Sequence, residues 1–128
     1  MRDKVIKKAV DIAYSLDVHS GKSKHFSFLV KKNNIVSIGW NKILKTHPIA
    51  SKYNYPYNKI HSELDCIINF CGDLSKYKYE LLNIRIGMDN RMKMSKPCKN
   101  CKILLNDHGL NNVTYSNEIG FSEFFIEV

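Results

Sequence analysis

No apolar run in this chain approaches the roughly 18–20 residues of a membrane-spanning helix, so no membrane segment or membrane partner is expected. The opening residues, Met1-Arg2-Asp3-Lys4-Val5-Ile6-Lys7-Lys8, lack the apolar stretch that follows the charges of a secretory signal. The expected location is therefore intracellular, in the cytoplasm. Internal repeats and low-complexity segments are also lacking. Arginine is scarce: of 20 basic residues only three are Arg. Arg is the side chain suited to bidentate phosphate recognition, whereas Lys is a flexible point charge. The formal net charge of +8, dispersed along the chain, thus argues more for attraction of an anionic small molecule than for a polynucleotide groove.

The 128 residues, 44% of them hydrophobic, suffice for one compact domain with a real core, and a single domain over 1–128 is expected. Four cysteines are present: Cys66, Cys71, Cys98 and Cys101. Without a secretory signal, the Cys98/Cys101 pair reads as metal-binding or redox-active rather than as half of a disulfide framework. Cys66 and Cys71 fall in an apolar helical stretch and read as small buried hydrophobes.

Val5, Ala9, Ile12 and Leu16 recur at helical spacing and predict an amphipathic helix over 3–17, ended by His19-Ser20-Gly21. A strand over 25–30, a turn at Lys32-Asn33-Asn34 and a returning strand over 35–41 predict an antiparallel hairpin. Residues 42–60, broken by Pro48 and Pro56, read as a long irregular segment carrying Tyr53, Tyr55 and Tyr57; so long a loop in a small domain is commonly functional. A helix from Glu63 to Phe70 follows, with Gly72 as its stop. A third strand is predicted over 82–88. Pro97, at home in a first helical turn, opens another helix that ends at His108-Gly109. Strands over 113–116 and 121–128 close the chain. Only Asn117-Glu118-Ile119-Gly120 separates these last two, too little for a parallel crossover, so as neighbours they must be antiparallel.

Two short stretches carry chemistry: His61-Ser62-Glu63 and Pro97-Cys98-Lys99-Asn100-Cys101. The two-residue spacing of Cys98 and Cys101 at a helix start brings two thiolates to one point, where the helix dipole favours their charge. With His61 they make three ligands for one zinc ion per chain, leaving a fourth tetrahedral position for water, as catalytic zinc sites do. Such a site lowers the pKa of that water to about 7. Glu63, two positions beyond His61, can reach the water's proton without occupying the metal. Competing readings are a closed zinc knuckle that recruits Cys66 or Cys71, and a redox C-x-x-C.

The order H-x-E…P-C-x-x-C is a signature of zinc deaminases that act on nucleobases. On these residues the chain resembles the cytidine/deoxycytidylate deaminase superfamily along nearly its whole length. The resemblance implies a three-layer α/β/α fold with a five-stranded mixed sheet and helices on both faces. It also implies hydrolytic deamination of a cytosine-type base, with His61, Cys98 and Cys101 as zinc ligands and Glu63 as catalytic proton shuttle. Ser62 stands where the family usually has Ala, and its backbone amide is a substrate contact; Pro97 is a further one. Gly39-Trp40-Asn41 resembles the family's G-x-N, whose Asn contacts sugar and base; the other reading of Asn41 is a cap at the strand exit. Ile43 stands where free-nucleoside enzymes usually carry Glu, whereas antiparallel last strands depart from the deoxycytidylate and transfer-RNA adenosine branches. Tyr57, in the tyrosine-rich loop, is placed to stack a base.

The leading function is zinc-dependent deamination of a cytosine nucleoside or nucleotide (cytidine, deoxycytidine or dCMP). Deamination of cytosine or adenine in single-stranded DNA or RNA is second, and a catalytically silent zinc-fold binding protein third. A homo-oligomer is expected, since small members of the family assemble. His47, between Thr46 and Pro48, is a candidate for a phosphate or a second metal. Lys96 and Lys99 flank the cysteines as candidate phosphate contacts.

Overall fold

The computed structural model describes residues 3–16, 23–43, 47–55 and 59–126. Helix α1 (Asp3–Ser15) buries Val5, Ala9 and Ala13, a four-residue repeat on one face. Strands β1 (Lys24–Lys31) and β2 (Asn34–Trp40) form the predicted hairpin. Lys32 and Asn33 both take positive φ, 48° and 63°, which suits the right-handed twist of a two-residue hairpin.

β1 pairs on its other side with the antiparallel β5 (Glu80–Ile86). β5 runs parallel to β7 (Asn112–Ser116), and β7 pairs antiparallel with the edge strand β8 (Phe121–Phe125). The resulting order β2-β1-β5-β7-β8 is a mixed sheet of five principal strands, with an antiparallel end as the short connection required. A sixth short strand, β6 (Met92–Lys93), pairs with the end of β5.

Strand periodicity sorts the side chains into two layers. Phe26, Phe28 and Val30 of β1, with Leu82, Ile84 and Ile86 of β5, face α1. Leu29, Leu81 and Val113 face the opposite layer, made by α3 (Ser62–Asn69) and α4 (Lys99–Asp107). Helices therefore cover both faces. Among the described residues no helix is long and apolar enough to cross a membrane.

The segment read as irregular has structure. β3 (Lys42–Ile43) pairs antiparallel with β4 (Lys59–Ile60), and α2 (Pro48–Lys52) lies between them. The loop is thus closed at its base: continuing the Lys42–Ile60 register by one residue sets Asn41 opposite His61. Two-residue strands carry no period to read, which is why this neck is invisible in the sequence.

Three details differ from expectation. β5 runs Glu80–Ile86, beginning and ending two residues before the predicted 82–88. α3 ends at Asn69, its cap Phe70 being extended, so Cys71 lies beyond the helix and is exposed, while Cys66 is buried as expected. α4 begins at Lys99 with Cys98 as its cap, so buried Pro97 precedes the cap instead of occupying the first turn. There its fixed φ restricts the approach to Cys98.

Candidate metal and catalytic site

α3 is fastened to β2 by contacts that set its position. Ser37 donates to the Cys66 carbonyl (2.8 Å) and Asn69 to the Ile38 carbonyl (3.0 Å). Buried Asp65 accepts from the Trp40 amide (3.0 Å) and pairs with Lys42. Gly39 makes the approach possible: a Cβ there would stand 2.2 Å from the Cys66 amide nitrogen and 2.6 Å from the Ser62 carbonyl. The Gly of the Gly39-Trp40-Asn41 stretch therefore has a packing reason.

Both helices open on a residue whose side chain could ligate a metal. His61 caps α3 and Cys98 caps α4, each in an extended conformation, and neither side chain makes a capping hydrogen bond. Ser, Thr, Asp and Asn usually hold such positions because they bond the first-turn amides. Here the side chains turn toward one another. Nδ1 of His61 lies 3.7 Å from Cys98 Sγ and 3.5 Å from Cys101 Sγ, and all three ligand atoms fall within 4.8 Å of one another.

Zinc–sulfur and zinc–nitrogen bonds of ordinary length at a tetrahedral angle give an N···S edge of about 3.6 Å, so the donor set and its spacing fit that ion. His61, Cys98 and Cys101 could hold a metal; among the described residues no fourth Cys, His or acid joins them. Without a cation, the hydrogen bond from Cys101 pulls the Cys98 thiol down to about 4, with His61 adding to it. Burial, the bond to Cys98 and the charge of Glu63 push Cys101 well up.

Glu63 is buried, and each carboxylate oxygen accepts a hydrogen bond. Ser62 Oγ donates to Oε1 (3.0 Å) and Asn83 Nδ2 to Oε2 (3.1 Å). Ser27 lies within reach of both partners, 2.8 Å from Ser62 Oγ and 2.6 Å from Asn83 Oδ1, and its single proton serves one at a time. Asn83 also donates to the Ser95 carbonyl (3.1 Å), and Ser95 bonds the Asn83 carbonyl (2.9 Å), tying the segment before Pro97 to β5.

Ser27 and Asn83 were not singled out in the sequence. Their signal is a polar side chain at an inward position of an apolar strand: Ser27 between Phe26 and Phe28, Asn83 between Leu82 and Ile84.

Asn41 follows β2. Its Oδ1 accepts from the His25 amide (2.9 Å) and its Nδ2 donates to the Ser23 carbonyl (3.4 Å), which is the strand-exit cap. His25 faces Arg85 across the β1–β5 ladder. Burial first, then the charges of Arg85 and His61, lower the His25 imidazole to about 4.

Tyr57 lies outside the described residues. Its neighbour Tyr55 is buried, with its hydroxyl 2.8 Å from Cys101 Sγ and its ring centroid 4.6 Å from that of His61. His47 caps α2, its Nδ1 accepting from the Ile49 amide (3.1 Å), a structural use of that side chain. Lys96 and Lys99 are exposed, and Lys96 Nζ lies 4.9 Å from the Phe124 ring centroid.

No protein-family model and no curated protein matches the sequence. The likeness lies in the fold, which is shared with solved structures of a dCMP deaminase. The dCMP deaminase of cyanophage S-TIM5, in its apo form, superposes with a TM-score of 0.56 over 91% of this chain and 86% of its own, at 18% identity. The same enzyme in complex with dCMP and dUMP gives 0.52 over 91% and 84%, at 16% identity.

Proposed function

We propose that this protein is a zinc-dependent hydrolase, a single domain over 1–128, that converts a cytosine nucleoside or nucleotide to its uracil form. The carrying observation is a buried Glu63 carboxylate, gripped at both oxygens, two residues beyond His61, whose side chain converges with Cys98 and Cys101. His61, Cys98 and Cys101 would hold one zinc ion per chain. When bound, zinc supplies a Lewis acid that activates a water molecule for attack.

Glu63 would accept a proton from the attacking water on a carboxylate oxygen and deliver it to N3 of the ring. It then moves a second proton to the departing amine. One water is consumed, a C4–O bond forms, the C4–N bond breaks, and ammonia leaves. Asn41, the Ser62 amide, Pro97 and Tyr57 are the substrate contacts in this reading.

A monophosphate is the favoured substrate form. Arg85 lies on the same face of β5 as Asn83, two residues on, and has no carboxylate partner among the described residues. The fold neighbour is seen with dCMP and dUMP. A second reading, deamination of cytosine or adenine in single-stranded DNA or RNA, rests on the +8 charge together with the tyrosine-rich loop, and the dispersal of that charge makes it the weaker of the two. The same proposal includes a homo-oligomer, with the half-exposed Phe125 of edge strand β8 as an apolar contact.

The test is ammonia release by zinc-loaded protein from cytidine, deoxycytidine, CMP, dCMP and a single-stranded oligonucleotide. Turnover of a mononucleotide or nucleoside is expected, and Glu63→Ala should keep its zinc and lose roughly 10³-fold in rate. Turnover of the oligonucleotide alone would favour the second reading. Silence on every substrate with zinc bound would reject deamination and leave a binding protein.

A further inference from the structure

The two cysteines of the site do not stand in equivalent surroundings. Cys98 is exposed, whereas Cys101 is buried beneath Tyr55, which follows α2 through a turn at Asn54 (φ 60°). The Tyr55 amide donates to the Ala50 carbonyl (3.1 Å) and fixes the residue in place. Buried phenols find hydrogen-bond partners. Among the described residues the partner of Tyr55 is the Cys101 sulfur, at 2.8 Å. Its ring also tilts against His61 at 4.6 Å and 59°, so one side chain touches two of the three ligating residues from outside.

We propose that Tyr55 is a positioning residue for the metal centre, donating its O–H to the Cys101 thiolate and holding the His61 ring. This rests on the metal reading above. Once Cys101 ligates it has no proton of its own, so the hydrogen in the Tyr55–Cys101 contact must come from Tyr55. A hydrogen bond withdraws electron density from the accepting sulfur, which makes Cys101 a weaker donor to the metal than Cys98. Groups that bond metal ligands from outside the coordination sphere also fix their orientation.

The experiment uses Tyr55→Phe, which keeps the ring and removes the hydroxyl. Full-length protein is loaded with Co(II), and the sulfur-to-cobalt charge-transfer band is recorded; zinc affinity is measured by chelator competition. The band should move to longer wavelength, and zinc affinity should fall about 10-fold. Site-specific incorporation of a fluorinated tyrosine at 55, a stronger donor, should move the band to shorter wavelength. An unchanged band and unchanged affinity in Tyr55→Phe would overturn the proposal. Should that variant fail to fold, an unmoved band in the fluorotyrosine protein would do so alone. Failure of the metal reading looks different: wild-type protein would then show no sulfur-to-cobalt band at all.

Discussion

Asn83 Nδ2 donates to Glu63 Oε2 across 3.1 Å, joining the central strand of the sheet to the first turn of α3. Both residues are buried, and the other amide proton of Asn83 is held by the Ser95 carbonyl. The carboxylate therefore cannot swing without leaving a buried donor unpaired, at about 1–3 kcal/mol. Asn83→Ala and Asn83→Asp both remove the donor, and Asp adds a like charge. We expect both to retain zinc and to lower kcat for dCMP by roughly 10²-fold, part of what a positioned acid–base group contributes, with KM little changed. Steady-state kinetics with zinc quantitation checks this. An equal loss in zinc content would mean that Asn83 holds the fold and not the carboxylate.

Gly39 gives a sharper structural test. Its hypothetical Cβ meets the Cys66 amide nitrogen, the Ser62 carbonyl and the Cys66 Cα at 2.2, 2.6 and 2.7 Å. All three are backbone atoms, so no rotamer change can clear them. Gly39→Ala must lift α3 from β2, at a cost of roughly 3 kcal/mol. Because α3 carries His61 and Glu63, zinc affinity should fall as well. Urea unfolding and chelator competition measure the two effects. A wild-type unfolding midpoint would show that the helix and strand do not approach this closely.

These contacts show what could be read in advance. The period of Val5 and Ala9, the alternation of β1 and the short link at 117–120 specify elements whose signal is local, and the structure has all three. The convergence of His61, Cys98 and Cys101 is likewise legible, because spacing and residue chemistry coincide. Ser27 and Asn83 were not, because an inward polar side chain in a strand means something only once its partner on another element is known. Cys71 was misread because its exposure depends on where α3 ends, and Phe70 turns extended one residue after Asn69. Tyr55 carries no signal of its own in the tyrosine-rich loop, since the path of α2 and the β3–β4 neck brings its ring to His61.

The last prediction concerns acid. His25 is held neutral, its imidazole lowered from 6.5 to about 4 by burial, then by Arg85 and His61. In the unfolded chain the same ring protonates near 6.5. Between these values the unfolded state binds the extra proton, so stability on this group's account is constant above pH 6.5, falls as pH drops toward 4, and levels below it. The full difference is roughly 3 kcal/mol. His25→Gln removes the titration, so the variant should lose less stability than wild type between pH 7 and pH 4, by up to that amount. Urea unfolding of both proteins across this range, with excess EDTA so that metal loss contributes nothing, gives the comparison. Parallel pH profiles would mean that His25 takes up its proton as readily in the folded protein as in the unfolded chain, and that Arg85 and His61 exert no field there.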